Sequence, residues 1–275
     1  MNRWKLAPAA LGLFLAVACG GGSSLPVPEP RPEADALAED VDRLLDLLNV
    51  EGVLAARDRA FTRQVAIMIG DPSDPELERL VDAVLTSFAY ESLRADVAEY
   101  MVSEGNVEVV ARALQWMEGG ATAAVRRIGE EYQPDQTVQE YANEMTDDPP
   151  SEARVQLIGA WAEARGEGPF FVLMQEAIRE AAYRVHDAFR PGGPDFEPLS
   201  GDELEVAQIN SHGAAVIRLL HGYAPAPDQL IRRATAEFAS EEGQWLSETY
   251  ALAVAQAIRA GGERAVEHLE GAGDA

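Results

Sequence analysis

From Glu33 onward the apolar residues recur at steps of three and four, and no stretch sustains a period-two alternation of β-branched residues. That pattern commits the chain to helices, because a half-buried strand needs the alternation that is missing. Leu37, Val41, Leu44, Leu45 and Leu48 share one helical face, and Val53 to Ile69 continues in the same style after Gly52. Leu77, Leu80, Val81, Val84 and Leu85 mark a third helix, followed by helical segments near 90–103, 106–118 and 120–131. Val155, Leu157, Ile158 and Trp161 mark the next. Phe171, Met174, Ile178, Ala182, Val185 and Phe189 then form a stripe about five turns long, whose aromatic and methionine content reads as core. Leu204, Val206, Ile209, Val216, Leu219 and Leu220 carry a further helix, and two more span 228–239 and 242–260. Ala251, Ala253, Ala255 and Ala257 on the last permit close helix approach.

Prolines and capping residues punctuate this run. Ser73 with Glu76, and Ser200 with Glu203, have capping-box spacing, and Ser151 is placed to cap the helix after Pro149-Pro150. Tyr132-Gln133-Pro134 and Thr146 to Pro150 interrupt the helices, the double proline being the main internal boundary. Arg190 to Pro198, with three prolines and two glycines, reads as a connector, a lid over a cleft being the alternative. Residues 110–125 and 231–246 share an apolar pattern, which two related halves or chance helical patterning would both produce. The expected fold is all-α, a multi-helix bundle or array, with two related halves as an option.

The N-terminus carries an address. Asn2-Arg3-Trp4-Lys5 is a positive segment, Leu6 to Ala18 an apolar run of 13 residues, and Ala18 a small residue before Cys19. A spanning helix needs about 20 apolar residues, so this run reads as a cleaved signal. Leu15-Ala16-Val17-Ala18-Cys19 resembles a bacterial lipobox, with Ala16 where the family prefers leucine. The resemblance implies cleavage after Ala18, diacylation of the Cys19 sulfur and an acylated new N-terminus. Gly20, rather than aspartate, implies passage to the outer membrane. The alternative is an ordinary signal that leaves a free thiol. Cys19 is the single cysteine of 275 residues, so no internal disulfide forms, and acylation would remove an otherwise exposed thiol. Two or more acyl chains anchor stably where one does not.

The expected organisation is therefore a signal peptide over 1–18, lipidated Cys19 and a flexible linker over 19–32, an N-terminal helical region over 33–148, a C-terminal one over 149–270, and a tail over 271–275. Gly20 to Pro32 starts glycine-rich and turns proline-rich, a spacer reaching on the order of 40 Å when extended.

The formal net charge is −25, and removal of Arg3 and Lys5 with the signal makes it two units more negative. Such a chain is unsuited to nucleic acid, where affinity comes from basic groups displacing counterions. Lys5 is the only lysine, so the processed chain has no Schiff-base lysine and no phosphate-loop lysine. A GC-rich genome would by itself account for this arginine bias. The histidines are the natural metal or acid–base candidates. His212 reads as a core histidine, His221 and His268 as cations near helix ends, and His186 beside Asp187 points away from it on a helix. No zinc, calcium, nucleophile-elbow or phosphate-loop motif occurs, and the carboxylate pairs Glu130-Glu131 and Glu241-Glu242 read as solvated faces. No catalytic, cofactor-binding or metal residue is assigned.

Glu237-Phe238-Ala239-Ser240-Glu241-Glu242-Gly243-Gln244, with Tyr141-Ala142, Pro149-Pro150 and Arg154 to Ile158, resembles an uncharacterised helical family of exported bacterial proteins, a domain of unknown function. Phe238, Ser240 and Gly243 match its aromatic–serine–glycine pattern, and Gly119 to Thr122 departs from it in the first half. The resemblance implies a helical fold and an envelope address, and no catalytic residue. The expected role is binding or scaffolding in the periplasm, with the membrane engaged through acylated Cys19 and an envelope protein as partner. The alternatives are an enzyme built from carboxylates with His186 or His212 near the 190–198 loop, and a carrier of apolar ligands between helices.

Overall fold

The computed structural model describes residues 32–55, 61, 77–192 and 195–271. The signal, Ala18, Cys19, most of the linker and the Ser73–Glu76 pair lie outside the described residues. The chain groups into Met1–Arg31 and Pro32–Ala275, and only the second is described here. It is all-α: no strand occurs among the described residues.

In chain order the helices are α1 (Pro32–Leu47), α2 (Leu77–Ser87), α3 (Tyr90–Glu104), α4 (Val107–Gly119), α5 (Ala121–Glu131) and α6 (Val138–Glu144), then α7 (Glu152–Ala164), α8 (Glu167–Phe189), α9 (Gly201–Gly222), α10 (Asp228–Phe238) and α11 (Glu241–Gly271). Residues 50–55 are also helical. Ser151 accepts the Arg154 N–H at 3.3 Å, and Ser200 donates its hydroxyl to Glu203 at 2.7 Å, so both starts follow from their caps. α6, which periodicity alone does not reveal, opens on a full capping box between Thr137 and Glu140.

α11 is the axis of the larger core. Its Ala253, Val254, Ala257 and Ile258 share this core with Met174, Ala177 and Ala181 of α8 and with Leu93, Val97 and Met101 of α3, and Val41, Leu44 and Leu45 of α1 join it by packing on α3 and α4. This core draws on residues from both sides of Pro149-Pro150. A second core joins Ala121 and Val125 of α5, Ile158 and Trp161 of α7, Leu219 and Leu220 of α9, and Ile231 and Ala234 of α10.

Two expectations need correction. The last helix does not stop at residue 260 but continues through Gly261-Gly262 to Gly271. Both glycines are buried, and a Cβ on Gly262 would stand 2.8 Å from the Ala181 Cβ, while one on Gly261 would stand 3.1 Å from the Phe88 ring. The pair admits neighbours instead of ending the helix, and packing offsets a helix-propensity cost of about 1 kcal/mol per glycine. On α2, Leu80 and Val84 are buried as expected, but Val81 and Leu85 are exposed, because Ala83 and Ser87 occupy the inward face.

Candidate functional site

A cleft opens where the two cores meet. Its walls are the turn after α1, α5 near Gly129, the α7–α8 corner, the end of α9 and the α10–α11 corner. It consists of two adjoining chambers of about 620 and 560 Å³, whose linings share Leu48, Asn49, Gly129, Arg165, Tyr223 and Phe238.

Arg165 stands at the junction because of its corner. α7 ends at Ala164, and Gly166 turns the chain into α8 at φ 64, a left-handed conformation that glycine adopts without a Cβ penalty. Trp161 lies one helical turn before Arg165, so ring and guanidinium share a face. The guanidinium carbon is 5.1 Å from the Trp161 ring centre and 5.4 Å from that of Phe238. Two aromatic contacts fix the orientation of a planar cation that would otherwise sample many rotamers.

Phe238 is placed by the corner that follows it. The Ser240 hydroxyl accepts the Gly243 N–H at 3.1 Å and donates to the Glu237 carbonyl at 2.7 Å. The Phe238–Ser240–Gly243 pattern is thus a tight helix–helix turn. Tyr223, whose ring packs edge-on against Trp161 at 5.0 Å, is held by Arg154, which donates to the carbonyls of Tyr223 at 2.8 Å and Ala226 at 3.0 Å and pairs with Asp228 at 2.6 Å. The Tyr223 ring lies directly on α5, since a Cβ on Gly129 would come within 2.9 Å of its Cζ.

The electrostatics centre on Glu167, whose side chain is only 12% exposed. One of its oxygens lies 2.9 Å from Arg165 Nη2 and the other 3.0 Å from Arg218 Nη2. Arg218 in turn sits 4.3 Å over the Phe171 ring. Two guanidinium groups on one carboxylate leave one net positive charge, inside a chain of net charge −25. In the second chamber Arg126 pairs with Glu130 at 3.1 Å, and Arg94 is shared by two carboxylates, Asp42 at 2.5 Å and Asp46 at 3.0 Å, which leaves one net negative charge on that side.

Three residues lining that second chamber carry buried polar atoms with no hydrogen-bond partner among the described residues: Thr122 Oγ1, Arg126 Nε and Trp161 Nε1. Ser247 Oγ, beside the first chamber, is a fourth. Arginine and tryptophan nitrogens only donate. Leaving such a group unpaired costs about 1–3 kcal/mol.

No histidine lines either chamber. His221, expected as a helix-end cation, is the buried one: its ring nitrogen is 2.8 Å from the Gln136 carbonyl and its ring packs 5.3 Å from Tyr141. His212 is half-buried beside Gly159 and Gly168, and His268 lies 3.6 Å from Asp82. His186 is half-buried on α8, and its neighbour Asp187 accepts the Gly192 N–H at 3.2 Å. The described part of the 190–198 loop runs along α8, where Arg179 donates to the Glu197 carbonyl and Glu176 accepts the Leu199 N–H, and it contributes to neither chamber. Among the described residues no group of three or more histidine, cysteine or carboxylate side chains is placed to hold a metal ion.

Of the residues that build the cleft, the sequence singled out Phe238, as part of the aromatic–serine–glycine pattern, and not its charged groups. Trp161 read as core, and Arg165, Glu167 and Arg218 carried no motif. The local signal was the four-residue spacing of Trp161 and Arg165. Comparison with protein-family models, curated proteins and solved structures finds no match for this chain.

Proposed function

We propose that this chain is a lipid-anchored bacterial envelope protein whose helical body binds a small ligand in the Arg165 cleft, acting by binding rather than by catalysis. The observation that carries the reading is Arg165, clamped between Trp161 and Phe238 at the junction of the two chambers. The titratable side chains there are arginines, tyrosines and carboxylates held in ion pairs, a set suited to gripping a ligand. Cavities at the meeting of two packed bodies are where small molecules usually bind. The anchor reading rests on Leu15 to Cys19 and places the body at the periplasmic face of the outer membrane. No described helix is long and apolar enough to cross a membrane.

Native mass spectrometry of the protein extracted from envelopes tests the binding reading. A small molecule should accompany the wild-type chain and be lost from Arg165→Gln. A wild-type chain that carries nothing and turns over a substrate overturns it. The anchor is tested separately by fractionating Cys19→Ser: release from the membrane is expected, and unchanged retention refutes acylation as the tether.

A further inference from the structure

We infer that the ligand of the cleft is an amphiphilic monoacid, its acidic head at Arg165 and Arg218 and its apolar body against the aromatic wall; this rests on the reading that the cleft binds a small molecule.

The head follows from charge. Glu167 holds both guanidinium groups at 2.9 and 3.0 Å and satisfies one positive charge of two. A guanidinium has five donors in a planar fork, more than a shared carboxylate can take up, and its geometry matches a second carboxylate. The excess positive charge is local to Arg165 and Arg218 in the first chamber, and an anionic head fits there. The Coulomb term has weight here because Glu167 is largely buried and Arg165 is 29% exposed, so solvent screens the group only in part.

The tail follows from the wall. Phe170 stacks on Tyr250 with ring centres 5.8 Å apart and meets Phe171 edge-on at 5.6 Å. Leu246 and Val53 line the same chamber. Arg218 lies on the Phe171 face, so cation and apolar surface are contiguous rather than at opposite ends of the site. A wholly apolar ligand would leave one of the two arginine charges unbalanced, and a small inorganic anion would leave the ring-lined part of the chamber unfilled. An acid on an alkyl or aryl body satisfies both.

The test uses the mature full chain carrying Cys19→Ser, in detergent-free buffer, so that neither the protein's own lipid nor a micelle competes. The neutral dye Nile red reports occupancy of the apolar chamber, and decanoate and decanol, which share a chain and differ in the head, compete for it. Decanoate is expected to displace the dye at about tenfold lower concentration than decanol, corresponding to about 1.4 kcal/mol. Arg165→Gln and Arg218→Gln should each bring the ratio of the two displacing concentrations toward unity. Arg218, the more exposed of the two, gives a readable variant if Arg165→Gln fails to fold. If decanol and decanoate displace the dye equally, the acidic head is wrong and the binding reading stands. If the dye does not enter and neither compound binds, the binding reading itself fails.

Discussion

A methyl group on Gly243 would stand 2.5 Å from the Phe238 Cα. Backbone cannot swing aside as the end of a side chain can, so Gly243→Ala must open the corner that seats Phe238 against Arg165. A loss of about 1–3 kcal/mol is expected in urea denaturation. Gly119, at the end of α4, has open space around its would-be Cβ and no positive φ, so Gly119→Ala should be neutral or stabilise by about 0.4–1 kcal/mol through the unfolded chain. A Gly243→Ala protein as stable as Gly119→Ala would show that the corner is not closed. A second effect at this scale depends on pH. Hydrogen bonds from the Ser200 hydroxyl and N–H hold the Glu203 carboxyl below its ordinary value. A lowered folded-state value contributes stability above the unfolded value, about 4.3, and loses it as pH falls through the folded one. The stability difference between wild type and Glu203→Gln, measured by urea midpoints, should therefore be present at neutral pH and shrink in acid. A difference that does not change with pH contradicts the assignment.

At the scale of the element, α5 owes its start to a residue far away in sequence. Gly120 offers no capping side chain, and the Glu237 carboxylate of α10 accepts the N–H groups of both Ala121 and Thr122 at 2.7 Å. A negative group at a helix N-terminus satisfies orphan donors and complements the dipole. Glu237→Ala should cost about 1–2 kcal/mol, and hydrogen exchange should quicken at Ala121 and Thr122 before the rest of α5. Unchanged protection at those two amides would mean that the cap is dispensable. The contrast with α7 and α9 shows what the sequence could reveal. Ser151, Ser200 and Glu203 cap their own helices, so spacing and periodicity agreed and those starts were legible. Gly261-Gly262 was not, because whether a glycine pair ends a helix or admits Phe88 and Ala181 depends on residues brought in from other helices. The cleft was illegible for the same reason. Trp161 and Arg165 are neighbours in sequence, but Phe238, Arg218 and Tyr223 reach them only after the corners have formed. Residues 110–125 and 231–246 each fold as a helix, a short turn and a second helix, and Trp116 near the end of α4 lies edge-on to Phe238 at the end of α10, 5.0 Å away.

For the whole molecule the question is whether two cores with a cleft between them melt together. α10 contributes Ile231 and Ala234 to the smaller core and Phe238 to the larger, and the α7–α8 corner runs directly from Trp161 in one toward Met174 in the other. Losing either core would strip an apolar face from a helix that the other core needs, so we expect one cooperative transition. Trp161 belongs to the smaller core, whereas Trp116 and Trp245 pack against the larger. A variant with both of those changed to phenylalanine makes Trp161 the body's reporter, and its fluorescence should melt with the far-UV circular dichroism. Because the cleft is lined from both cores, a ligand seated there should raise the two transitions equally, by about 2.7 kcal/mol at one hundred times its dissociation constant. Separate transitions, or a ligand that moves the Trp161 signal alone, would show instead that the cores are independent and that the cleft is a gap between them rather than a joint they share.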